Sequence, residues 1–241
     1  VVRRYLLLAC SILLLCACSL KKPGDAGPAV RILEGEVFWS GTVLVDGEVR
    51  IAKGACLSIA PGTRVRFVRR DADRDGFGDA TLVVEGTLIA RGTPEAPIYF
   101  QSAEETPREA DWLEIRPQFS PSVELSHVVV EHAAYGVHAH FSRLLVEDSV
   151  FRRNMDGFRM GNSRVEIRRS LVEDNPGKGI NFRDSDVEIH HNLIRRNGSG
   201  IFLFEKPGRL SIHHNEILEN RHSIRLGDFF AQDIEANDNW F

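Results

Sequence analysis

The chain has few cysteines, and they are badly placed for crosslinking. Of its 4 cysteines, Cys10, Cys16 and Cys18 lie within the first eighteen residues and only Cys56 lies beyond. No internal disulfide framework is therefore available to the folded part. Cys56 falls in a strand-like stretch and is expected to be a buried free thiol. No charge of one sign dominates, since 30 Lys and Arg face 34 Asp and Glu for a formal net charge of −4. A nucleic-acid face needs an excess of positive charge, so nucleic acid is not an expected partner. No apolar run reaches the roughly 20 residues that a membrane-spanning helix requires. Familiar catalytic motifs are missing too: no glycine-rich phosphate loop before a helix, no HExxH, no Ser/His/Asp set with motif spacing. What is present is a 43% hydrophobic fraction beside 27% charged residues. That composition supports a real core and argues against wholesale disorder.

The first residues read as an address. Arg3 and Arg4 precede an apolar run from Tyr5 to Leu15, which ends in Cys16, Ala17, Cys18 and Ser19. A positive start, a short apolar core and a small-residue end form a secretory signal. The ending Leu15-Cys16-Ala17-Cys18 resembles a bacterial lipobox. The resemblance implies cleavage before Cys18 and acylation of Cys18. Residues 1–17 are then a lipoprotein signal peptide and residues 18–29 a lipidated cysteine with a flexible tether. It also implies a lipid bilayer as partner and the bacterial cell envelope as location, with Ser19 pointing to the outer membrane. An ordinary signal peptide or an N-terminal anchor is the alternative. Losing Arg3 and Arg4 with the leader deepens the net charge from −4 to −6.

The body of the chain repeats. The segments VELSHVVV, LLVEDSVF, VEIRRSLV, VEIHHNLI, LSIHHNEI and IEANDNWF begin at Val123, Leu144, Val165, Val187, Leu210 and Ile234, at steps of 21 to 24 residues. One polar column runs through Ser149, Ser170, Asn192, Asn215 and Asn239, and a second through Asn154, Asn175, Asn197 and Asn220. Between them lie three short stretches of alternating apolar and polar residues, too short for helices. One unit cannot bury its apolar face alone. Stacked units can, with each strand pairing one coil above at about 4.8 Å. Asparagines at one inward corner then form an amide ladder. The expected fold is all-β, a single-stranded parallel β-helix of eight to nine coils. It is expected to fill residues 30–241 as one domain, a rod of roughly 40 Å.

The segment VEIHHNLIRRNGSGIFL (187–203) also resembles the right-handed β-helix repeats of pectate-lyase-like enzymes, mannuronan epimerases and NosD-type periplasmic proteins. The resemblance implies a right-handed solenoid and says little of function.

Two clusters could carry metal chemistry. Asp71-Ala72-Asp73-Arg74-Asp75-Gly76-Phe77-Gly78-Asp79 sits between strand-like stretches. Its D-x-D-x-D-G spacing resembles a calcium loop, with ligands Asp71, Asp73, Asp75, the Phe77 carbonyl and Asp79. Position twelve is Leu82 in place of a bidentate Glu. A solvated acidic turn is the other reading. The doublets His190-His191 and His213-His214 lie one coil apart. His191, His214 and Asp238 share a column and could hold a transition metal, although a structural histidine stack gives the same pattern. Asp184 and Asp186 with Lys178 and Arg183 form the best group available for a lyase or glycosidase, but no lyase or epimerase signature accompanies them and they read as turn residues. Arg152, Glu173 and Arg195, and beside them Arg153, Asp174, Arg196 and Glu219, alternate in sign, as on a solvated face. Trp240 and Phe241 could cap the last coil or meet a partner there.

The expected function is a non-catalytic envelope module that binds polysaccharide or a protein partner, with Ca²⁺ as the one expected cofactor. A carbohydrate-active enzyme and a NosD-like metal-handling accessory are the alternatives.

Overall fold

The computed structural model describes residues 30–205, 208–228, 230 and 233–241. The signal peptide, Cys18 and the tether lie outside these residues. Every regular element described is a β-strand, and the strands form three parallel sheets of nine, eight and eight members. Each sheet takes every third strand of the chain. The chain therefore winds through the first, second and third sheets in turn, adding one strand to each per coil.

Alternation by two sets the inside of the solenoid. In Val187, Ile189, Ile194, Ile201 and Leu203 one coil supplies buried side chains from all three sheets. Their equivalents one coil back are Val165, Ile167, Val172, Ile180 and Phe182, paired in register. The earlier, less regular coils follow the same rule. Phe67 stacks on Trp112 at 3.9 Å between ring centroids, and the Trp112 indole N–H donates to the Glu131 carbonyl at 2.8 Å.

Cys56 departs from expectation. It opens the strand Cys56–Ile59, in which Leu57 and Ile59 are the buried positions. Period two therefore places the thiol on the outer face, half-buried, with Sγ 4.0 Å from Ser58 Oγ. A shift of one residue in the reading of a strand reverses its faces.

The corners are built alike. Each regular corner holds one residue at positive φ, and the next residue points inward. Between the second and third sheets the pairs are Asp148/Ser149, Arg169/Ser170, His191/Asn192, His214/Asn215 and Asp238/Asn239. Between the third and first sheets they are Arg153/Asn154, Asp174/Asn175, Arg196/Asn197 and Glu219/Asn220. The turn exposes a backbone N–H to the interior, and the inward side chain one coil on accepts from it. Asn175 shows the full pattern. Its Oδ1 accepts from the Asn154 N–H at 3.0 Å, and its Nδ2 donates to the Phe151 carbonyl at 3.2 Å and to Asn197 Oδ1 at 2.8 Å. A third ladder, unseen in the sequence, joins the first and second sheets. There the N–H groups of Ser120, Ser142 and Ser163 donate to the hydroxyls of Ser142, Ser163 and Ser185 at 3.0–3.1 Å.

Outside, charged columns pair between coils. Arg152 meets Glu131 at 2.5 Å, Arg195 meets Glu173 at 3.0 Å and Arg196 meets Asp174 at 2.7 Å. Such half-exposed pairs contribute little individually, about 0–1 kcal/mol. Trp240 extends the third sheet through a bridge to Glu216, and its ring is exposed instead of folding over the core.

The ladder makes a direct prediction. Asn175→Leu leaves the Asn154 N–H buried without a partner, at about 1–3 kcal/mol, and removes one of the donors to the Phe151 carbonyl. Urea unfolding should show a loss of about 2–4 kcal/mol, against a smaller loss for Asn220→Leu in its less buried setting. Equal, near-zero losses at both positions would show that the ladder is not structural.

Candidate functional site

The outer face of the first sheet gathers the most chemistry. The register between Trp112–Pro117 and Ala133–His140 slips between Glu114 and Ile115, so Tyr135 lies opposite Glu114 and Val137 opposite Ile115. The bulge re-aims side chains locally. Glu114 is almost fully buried, at 2% exposure. One of its carboxylate oxygens faces Arg116 at 3.3 Å, and the other lies 2.7 Å from His138 Nδ1. His138 Nε2 lies 2.9 Å from His140 Nε2. The hydrogen bonds order the tautomers. A carboxylate accepts, so His138 Nδ1–H donates to Glu114, and with both rings neutral His138 Nε2 accepts from His140 Nε2–H. His140 Nδ1 is left as a free lone pair.

That nitrogen faces open space. Gly161 lies beside it, and a Cβ there would sit 3.2 Å from His140 Nδ1 and 3.5 Å from Arg183 Nε. The absent side chain keeps a groove of about 350 Å³ open, lined among others by His138, His140, Arg159, Lys178, Asn181 and Arg183. Burial pushes the His140 pKa below its ordinary value, and the charges of His138 and Arg183 push it the same way against Glu114. Arg159 stacks over the Tyr135 ring at 4.5 Å, and Lys178 lies 5.5 Å from the Phe202 ring centroid. The Lys178 ammonium sits 3.8 Å from Asp156. The groove thus presents two guanidiniums, one ammonium and a lone pair on one wall-to-wall surface.

The expected cluster of Asp184, Asp186, Lys178 and Arg183 does not assemble. Asp184 occupies a corner at φ 45°, and the chain turns there from the first sheet to the second. Lys178 and Arg183 remain on the first sheet. Asp186 opens a strand of the second, where it accepts from the Arg209 N–H at 2.9 Å. It lines a separate groove of about 670 Å³ with Ser122, Glu124, Arg143, Arg164 and Glu166. Sequence reasoning missed Glu114, His138, His140 and Arg159. The signal was available in His138 and His140 as alternate residues, with Arg159 and Arg183 equivalent to them on later coils.

The acidic loop folds tightly. Carboxylate oxygens of Asp71, Asp73 and Asp75 all lie within 4.8 Å of one another. Asp73 and Asp75 each cap the backbone N–H two residues on, at 3.2 and 2.8 Å. Asp71 Oδ1 is buried without a hydrogen-bond partner. Asp79 turns back to accept from the Ala72 N–H at 2.9 Å and so closes the loop. Gly78 lets it lean on the next coil, because a Cβ there would meet the Asp111 carbonyl oxygen at 1.9 Å.

The four histidines form a grid. His190 stacks on His213 at 5.2 Å and His191 on His214 at 5.1 Å, with Nδ1 atoms 2.9 and 2.8 Å apart within the doublets. Asp238 reaches this column through its main chain, its carbonyl accepting from the His214 N–H at 2.8 Å. Among the described residues, three or more ligand atoms converge within 4.8 Å only at the aspartate triad.

The family model for a right-handed beta helix region matches residues 114–241, just over half of the chain. The chain belongs to the right-handed β-helix family. No curated protein and no solved structure matches it. The groove of this β-helix protein lies wholly within the matched coils, whereas the acidic loop precedes them.

Buried neutral histidines make its stability sensitive to acid. Burial lowers the pKa of both His132 and His140 below the ordinary 6.5. The unfolded chain then binds more protons as pH falls, so stability is complete above 6.5 and declines below it. The urea midpoint should drop between neutral and mildly acidic pH, before the carboxylates titrate. His132→Asn, which tolerates the positive φ, should flatten the decline; a midpoint that rises on acidification contradicts this account.

Proposed function

We propose that this β-helix protein is a lipid-anchored module of the bacterial envelope that binds an acidic polysaccharide along the outer face of its first sheet. The observation that carries the reading is the groove itself. Arg159, Lys178 and Arg183 face one open channel, with Asn181 to hydrogen-bond hydroxyls and Phe202 to meet an apolar sugar face. An open groove along a sheet face suits a polymer better than a small enclosed ligand. The anchor at Cys18 belongs to the same reading and rests on the lipobox resemblance. Ca²⁺ is assigned a structural role at Asp71, Asp73 and Asp75, supported by their convergence and by the unpartnered Asp71 oxygen.

A second reading is favoured by the Glu114–His138–His140 chain. A neutral imidazole beside guanidiniums is suited to taking a proton from carbon next to a carboxylate, because the cations stabilise the charge that develops. In that reading the protein is a lyase or an epimerase of an acidic glycan.

One set of titrations separates them. Calorimetry with alginate and polygalacturonate should show binding that Arg159→Ala/Arg183→Ala weakens at least tenfold, about 1.4 kcal/mol. Unaltered affinity in that variant removes the groove from the proposal. Turnover, read as unsaturated product or as solvent deuterium in the sugar, that vanishes in His140→Gln while affinity survives would establish the catalytic reading instead. For the loop, Ca²⁺ should raise the melting temperature of the native chain and not that of Asp73→Asn/Asp75→Asn. An equal response in both ends the calcium assignment.

A further inference from the structure

Two phenylalanines stand where the fold demands a left-handed residue. Phe119 and Phe141 have φ of 53° and 50° and occupy one corner of adjacent coils, between the first and second sheets. The same corner carries Asn162 and then Asp184 on the coils above. Asn and Asp adopt positive φ at low cost, whereas a bulky side chain there is an outlier. Apart from Ala110, the other described non-glycine residues at positive φ are polar or charged.

Burial does not account for the pair. Phe119 is 66% exposed and Phe141 is 53% exposed. Their rings lie parallel, with centroids 4.9 Å apart and planes within 4°. Stacked on each other, both rings remain largely open to solvent. Strained residues that add no core tend to serve a site, and exposed aromatic patches on a polar surface mark contacts.

The location narrows the ligand. Phe141 directly follows His140, which lines the first-sheet groove, and Phe119 follows Gln118, which bridges to His140. Two residues beyond Phe141, Arg143 begins the second-sheet groove and pairs in register with Arg164. Neither Arg143 nor Arg164 has a carboxylate within 4.0 Å among the described residues. The phenylalanines thus form an apolar ridge whose neighbours are polar: His140, Asn162, Arg143 and Arg164. A protein partner's apolar patch would meet charges on both flanks. A pyranose ring fits better, because it offers a flat C–H face to an aromatic ring and carries its polar groups at the rim. The two guanidiniums beside the ridge make no close ion pair, although Asp186 lies in register with Arg164, and they add a preference for a carboxylate.

We infer that Phe119 and Phe141 form a stacking platform for a sugar ring of an acidic glycan, with Arg143 and Arg164 meeting its carboxylates. The inference rests on the glycan-binding reading and adds to it a contact made by different residues.

The test uses the full chain and Phe119→Asn/Phe141→Asn, titrated with alginate, polygalacturonate and neutral dextran, with urea unfolding and sedimentation alongside. Asparagine relieves the backbone, so the variant should be as stable as the native chain or more so. Its affinity for the acidic glycans should fall at least tenfold, and Phe119→Tyr/Phe141→Tyr should keep it. Unchanged affinity overturns the platform, and if Arg159→Ala/Arg183→Ala still weakens binding, the groove reading survives alone. Self-association lost with glycan affinity intact would make the ridge a contact between copies and also overturns the platform. No glycan binding by the native chain overturns both proposals.

Discussion

A parallel solenoid stands or falls on what its corners do with backbone N–H groups. Strands satisfy their own through the coil above and below, but a corner with a left-handed residue turns one N–H inward, where water is absent. In this protein an inward serine or asparagine from the adjacent coil accepts it, along all three edges. The asparagines go further than the serines, because the amide also donates to a carbonyl and to the next amide. Each such bond is modest by itself. Its absence leaves a buried donor, and that asymmetry makes the ladders rigid determinants of register.

The fold was legible because those ladders and the period-two strands both leave marks at a fixed step. Asn175, Asn197 and Asn220 stand out as a column, and the paired apolar residues on either side mark the strands of a stacked coil. The serine ladder escaped notice because serine is common in any loop and its spacing alone is not distinctive. Cys56 was misplaced by a single position, enough to reverse its face. The groove was hidden for a different reason. Glu114 meets His138 only because a bulge slips the register between two strands, and no repeat reports an irregularity that occurs once. Asp184 and Asp186 look clustered with Lys178 in the chain, yet a corner intervenes and sends them to different faces.

The interior and the exterior of the rod answer to separate constraints. Inside, every coil repeats nearly the same apolar positions, and the later coils add the same amide positions. Outside, the same register aligns side chains that the core does not restrict, so columns of like or opposite charge arise with little penalty to the fold. The alternation of Arg196 with Asp174 and Glu173 is one outcome. The concentration of Arg159, Lys178 and Arg183 around an imidazole chain is another, with Asp156 near Lys178 and Glu114 at the foot of the imidazole chain as the adjoining carboxylates.

The edge between the third and first sheets has a further consequence. It carries the asparagine ladder from Asn154 onward, but on earlier coils the same edge releases the acidic loop after Phe67 and a second excursion after Ser102. The two excursions rest against each other where Gly78 meets Asp111. Ladder and loop are therefore alternatives at one hinge of the winding. A coil can lengthen there without displacing the strands that its neighbours need. The two longest excursions thus leave from one seam of the rod, and that seam borders the first sheet, where new side chains would arrive beside the existing groove.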